Sequence, residues 1–94
     1  MPIQSFRHKG LKRLFEADNA RGLPANQVEK IKDILAALDA AEMIEEIEAM
    51  PGWRLHGLKG RLDGFWSIAV TGNWRLIFRF VNGDAFDLDL IDYH

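Results

Sequence analysis

Apolar residues recur at helical spacing through the first half of the chain and at every second position through much of the second half. Leu11, Leu14 and Phe15 stand at i, i+3 and i+4, opposite Lys9, Lys12 and Arg13, and predict a helix over His8–Asp18. Arg21-Gly22-Leu23-Pro24 ends it. Pro24 suits the first turn of a second helix, where a missing N–H costs little, and that helix is predicted from about Ala25 to Ala41. Val28, Ile31, Ile34, Leu35 and Leu38 form its apolar stripe, and four alanines near its end raise its intrinsic propensity. A short acidic turn or helix is expected within Met43–Met50, before Pro51-Gly52.

Strand patterning frames these helices. Ile3–Phe6 reads as a short first strand and Trp53–His56 as a second. Gly57–Gly64, with three glycines and three charged residues, reads as a loop. Trp66–Val70, Trp74–Val81 and Ala85–Ile91 follow as strands, joined by Thr71-Gly72-Asn73 and by the hairpin signal Asn82-Gly83. In Trp74–Val81, Trp74, Leu76, Phe78 and Phe80 point one way and Arg75, Ile77 and Arg79 the other. Two helices followed by an antiparallel meander imply an α+β domain, residues 1–94, with two N-terminal helices packed on a small twisted sheet. The helices are expected over the aromatic face, which leaves Arg75 and Arg79 on an open one.

Ninety-four residues limit the core, but a hydrophobic fraction of 48% is enough to fill it. With no cysteine there is neither disulfide nor thiolate chemistry. No apolar run approaches the ~20 residues of a membrane span, and Met1–Phe6 lacks the apolar stretch of a signal peptide, so a cytoplasmic protein without a membrane partner is expected. The net charge of −2 conceals blocks. Residues 1–32 carry seven Lys/Arg against three acids, residues 33–50 six acids and no base, and residues 51–79 five Lys/Arg against Asp63 alone. A sheet that gathers the last of these onto one face would give a mildly acidic protein a basic surface.

Metal-independent phosphodiester cleavage requires a proton acceptor, a proton donor and cations directed at the developing charge. Histidine suits either proton role near neutral pH, while arginine and lysine suit the phosphate oxygens. His56, Lys59, Arg75, Asp92, Tyr93 and His94 make up such a set, with Tyr93 also able to stack on a base. Arg54, Arg61 and Arg79 are further candidate contacts to a phosphate backbone. Each residue also has an ordinary reading as a solvated or structural side chain, and spacing alone does not bring the six together. A metal site from His8, His56, His94 and Asp92 is disfavoured by the wide separation of the histidines.

Several motifs occur in order: Ser5-Phe6-Arg7-His8-Lys9-Gly10-Leu11-Lys12, Leu14-Phe15-Glu16, Arg21-Gly22, Leu55-His56, Leu58-Lys59-Gly60, Trp66-Ser67-Ile68, Asn73-Trp74-Arg75 with Phe78 and Phe80, Asn82-Gly83-Asp84-Ala85, and Asp92-Tyr93-His94. Together they resemble the HigB toxins, or plasmid maintenance system killer proteins, within the RelE-like superfamily of type II toxin–antitoxin systems. The likeness spans almost the whole chain, although Asp39–Met50 follows no family motif. It implies a ribosome-dependent endoribonuclease that cuts translated mRNA by 2′-hydroxyl attack, with no metal or cofactor. The implied catalytic residues fall on His56, Lys59, Arg75, Asp92, Tyr93 and His94. The resemblance also implies a HigA-type helix-turn-helix antitoxin, with operator DNA engaged only through the complex. Two alternatives of other classes are a ParE-type gyrase inhibitor and a non-catalytic nucleic-acid-binding module.

Overall fold

The computed structural model describes residues 1–93. Helix α1 runs Lys9–Ala17, and a short 3₁₀ turn at Ala25–Gln27 leads into α2, Val28–Ala40. A brief α3, Ile44–Glu48, occupies the acidic stretch. Strands β1 (His56–Gly57), β2 (Phe65–Ala69), β3 (Trp74–Val81) and β4 (Asp84–Asp92) form one antiparallel sheet in sequence order.

Local chemistry sets these boundaries. His8 caps α1, its Nδ1 accepting from the N–H groups of Gly10 (3.0 Å) and Leu11 (3.3 Å). At the other end Asp18 adopts the left-handed conformation, φ 53°, that closes many helices. Asn82-Gly83 links β3 to β4 as a two-residue loop with positive φ at both positions (50° and 85°), the geometry a type I′ hairpin turn demands.

Leu11 and Leu14 of α1 and Ile31, Ile34, Leu35 and Leu38 of α2 pack on Ile68, Leu76, Phe78, Leu88 and Leu90, so the helices cover the aromatic face of β3 as the alternation predicts. Trp53 is buried here, and Trp66 and Trp74 pack half-buried against the same core. A fully buried leucine, isoleucine or phenylalanine contributes about 1.5–3 kcal/mol of transfer free energy, so this layer dominates stability.

The structure departs from strict alternation at three places. Ile3–Phe6 is not a continuous strand; its pairing with β4 is two isolated parallel bridges, Ile3 to Ala85 and Phe6 to Leu88. The cause is a bulge in β4, whose register against β3 slips between Ile77 and Arg79, with Asp87 at φ 55°. Without that extra residue, Ala85 would share a face with Asp87 and Asp89; with it, Ala85, Leu88 and Leu90 all reach the core. Ser5 seals the bulge by accepting the Asp87 N–H at Oγ (2.9 Å).

The expected strand Trp53–His56 shrinks to its last residue, because Arg54 is in the left-handed region (φ 52°) and breaks the extended run. The expected loop Gly57–Gly64 then folds back over the sheet through a 3₁₀ turn at Gly60–Leu62. Leu58 and Leu62 pack with Phe65, Ile77 and Ile91 into a second, smaller cluster. The face expected to be open is therefore covered at its centre. No helix among the described residues is long and apolar enough to cross a membrane.

Candidate active site

Register assigns the faces. His56 pairs with Ser67, which pairs with Ile77, which pairs with Asp89, so these four form one row across the face away from the helices. Ala69, Arg75 and Ile91 form the next row, and Phe65, Arg79 and Phe86 the row on the other side. Alternation places Tyr93 on the same face, beyond Ile91. His56, Arg75, Arg79 and Tyr93 thus share a surface. Strands lie ~4.8 Å apart, so His56 on β1 and the segment following β4 flank a surface about 14 Å wide, with Arg75 between them.

His56 is exposed, and its Nδ1 lies 3.1 Å from the carbonyl oxygen of Arg54. A carbonyl only accepts, so Nδ1 carries the proton, and in the neutral ring Nε2 keeps its lone pair facing outward. The left-handed turn at Arg54 aims that carbonyl. Arg54 thereby orients His56 through its backbone, while its exposed side chain extends from the same kink.

Arg75 is half-buried and held by two carbonyls of the β2–β3 turn. Its Nη1 donates to Gly72 O at 2.8 Å and to Trp74 O at 3.1 Å. The same turn pins the end of the chain, since Tyr93 N–H donates to Asn73 O at 2.7 Å. One hairpin therefore sets both the guanidinium and the tyrosine backbone. The Tyr93 ring, 46% exposed, is open to stack. The sequence predicts Gly72 and Asn73 only as turn residues; their contribution is made by backbone carbonyls, which carry no side-chain signal.

Lys59 precedes the 3₁₀ turn and is exposed between two fixed points, Leu58, whose N–H donates to Phe65 O at 2.8 Å, and Leu62. Arg61 is exposed on that turn. Arg79, also exposed, lies 3.7 Å from Asp87. Asp92 is exposed at the end of β4 and pairs with Trp74, one step out of phase with Arg75 and Tyr93. His94 lies outside the described residues. His8 instead caps α1 through its Nδ1. No cluster of three His, Asp or Glu side chains at metal-binding spacing occurs among the described residues.

A family model described as the RelE-like toxin of type II toxin–antitoxin system HigB matches residues 4–94. The chain belongs to the HigB-like toxin family. Endoribonuclease HigB of Proteus vulgaris is 50% identical over 92 residues, covering 98% of this chain and 99% of that protein. Toxin HigB-1 of Vibrio cholerae is 36% identical over 81 residues, 85% of each chain. The fold recurs at 18% identity in a YoeB–YefM toxin–antitoxin complex from Staphylococcus aureus, with a TM-score of 0.60 over 100% of this chain and 97% of that one. As a HigB-like toxin the chain has an antitoxin partner, and its helices-on-sheet architecture is that of the RelE-like toxins.

Proposed function

We propose that this HigB-like toxin is an endoribonuclease that cuts messenger RNA during translation and so arrests growth. The observation that carries the reading is the Nδ1 bond from His56 to Arg54 O, which leaves Nε2 as a proton acceptor on the same face as Arg75 and Tyr93. In the proposed step, Nε2 takes the proton of a ribose 2′-hydroxyl. The 2′ oxygen forms a bond to the adjacent phosphorus, and the bond from phosphorus to the 5′ oxygen breaks. Protonation of that leaving oxygen is assigned to His94. Tyr93 positions the strand by stacking on a base. Arg75 and Lys59 face the non-bridging oxygens as their charge grows; loss of one such donor typically costs 10²–10³ in rate. The products are a 2′,3′-cyclic phosphate and a free 5′ hydroxyl. No metal or cofactor takes part in this scheme.

The proposed partners are a HigA-type helix-turn-helix antitoxin and message on the ribosome, with operator DNA reached only through the antitoxin complex. The test is induced expression of the untagged chain and of Arg75→Ala and His94→Ala, with growth and messenger 5′ ends recorded together. New ends inside translated regions, absent in both variants, are expected. Purified protein should cut message on translating ribosomes and leave the same message intact when it is free. Growth arrest without new ends would overturn the reading and direct attention to another target, such as gyrase.

A further inference from the structure

The motif Ser5-Phe6-Arg7-His8 resolves into distinct tasks. Ser5 Oγ holds the Asp87 bulge, Phe6 packs against Phe15 of α1 with the rings tilted 45° and their centroids 5.7 Å apart, and His8 caps that helix. Arg7 remains. Its backbone N–H donates to Leu88 O at 2.8 Å, and its guanidinium carbon stands 5.0 Å from the centroid of the Phe65 ring. Its side chain is exposed, and among the described residues it has neither a hydrogen-bond acceptor nor an ion-pair partner. A guanidinium fixed against an aromatic face with five unclaimed N–H donors is prepared to bind an anion.

Its position gives that anion an identity. Phe65 pairs with Arg79 and belongs to the row next to the one containing His56. Arg7 therefore reaches the candidate active-site face, on the opposite side of the His56 row from Arg75. The neighbouring Arg79 is accompanied by the Asp87 carboxylate at 3.7 Å, which would also face an incoming phosphate. Arg7 has no such companion among the described residues. The two arginines thus exchange the importance that their sequence positions suggest.

Resting on the ribonuclease reading above, we propose that Arg7 is a phosphate contact for the single-stranded message, one subsite removed from the cleaved bond, with Phe65 holding its guanidinium in place. Arg7 takes no part in proton transfer; it fixes where the strand lies relative to His56.

The test uses the wild-type chain and a fully 2′-O-methylated single-stranded RNA, which binds but has no attacking hydroxyl. Anisotropy titrations from 50 to 300 mM salt compare the parent with Arg7→Gln and Arg7→Lys. Loss of one phosphate contact to a single strand lowers the salt slope by about 0.7 and weakens binding about fivefold near 0.1 M salt. Arg7→Gln is expected to show both changes with an unaltered unfolding midpoint, and Arg7→Lys to recover the slope. An unchanged affinity and slope in Arg7→Gln, with the parent binding and cutting RNA, would overturn the Arg7 assignment and leave the ribonuclease reading standing. A loss seen only on message-programmed ribosomes, with free RNA bound equally by parent and variant, would also overturn it, because the anion would then be ribosomal RNA. A parent that neither binds this RNA nor cuts message on ribosomes would remove both readings together.

Discussion

The sequence holds two histidines within the described residues that look equally available, and the structure separates them by task. His8 is an N-cap: one nitrogen accepts from both Gly10 and Leu11. Replacing His8 by Ala removes a cap of about 1 kcal/mol and should lower Tm by about 4–8 °C for a chain of this size. Gly10 supplies a sharper test. A methyl group there would lie 2.8 Å from His8 Cε1 and 3.0 Å from Nδ1, so the ring must swing away and the cap is lost. Alanine for glycine in a helix gains about 0.5–1 kcal/mol by itself. The two effects nearly cancel in the wild type, and Gly10→Ala should leave its stability almost unchanged. In a His8→Ala background there is no cap to lose, so the same substitution should be more favourable there by the energy of the cap. Crowding of the new methyl against Leu23 Cδ2 at 3.1 Å is common to both backgrounds and drops out of the difference. The expected coupling, about 1 kcal/mol, exceeds the ~0.3–0.5 kcal/mol scatter of independent sites. Urea unfolding of the four proteins at a shared m-value measures it. Equal stabilisation by Gly10→Ala in both backgrounds would refute the capping geometry. In the same set, His8→Ala should cut message at the parental rate once folded, whereas His56→Ala should not.

Three further outcomes follow from the site and its surroundings. Arg75→Lys keeps the charge but loses the two carbonyl anchors and the planar fork, so single-turnover cleavage should fall about 10²-fold with little change in Tm; a rate near the parent's would remove Arg75 from the phosphate. Ser67 lies beneath the second cluster, 1% exposed, and its hydroxyl has no hydrogen-bond partner among the described residues. Ser67→Ala should therefore stabilise by about 1 kcal/mol, read as a rise in the denaturation midpoint, and a loss of stability would show that the hydroxyl is satisfied after all. The Glu46 carboxylate accepts backbone N–H bonds from Met43 (2.9 Å) and Glu42 (2.6 Å), which hold its pKa below the usual 4.5. A group with a depressed folded pKa stabilises above the ordinary carboxylate range and loses that contribution as pH falls through its folded value. A carbon-detected titration of Glu46 with a midpoint at or above 4.5 would contradict the cap.

Much of this protein is determined by residues acting on their neighbours. The 3.6-residue stripe from Val28 to Leu38 and the alternation from Trp74 to Val81 each allow one burial pattern, so the two main helices, strands β2 to β4 and the Asn82-Gly83 turn can be read directly from the chain. The helix-facing side of β3 follows from the same alternation. The family-like motifs supply the residues of the proposed site, because side-chain chemistry is written in the sequence.

Tertiary structure decided what depends on long-range pairing. Nothing local marks Asp87 as a bulge; it arises because Ala85 and Leu88 must both reach the core while Ser5, 82 residues away, waits to cap the extra N–H. The kink at Arg54 is equally invisible, since a non-glycine residue adopts positive φ only when its surroundings impose it. That kink gives His56 its tautomer. The covering of Ile77 by Leu58 and Leu62 required the loop to turn back on the sheet, which glycine content alone does not predict. Arg7 and Arg79 carry the same charge in sequence; only the fold gives one a carboxylate neighbour and the other an aromatic ring. Side-chain identity is a property of each position, whereas the partner of a charge or a carbonyl is a property of the folded register.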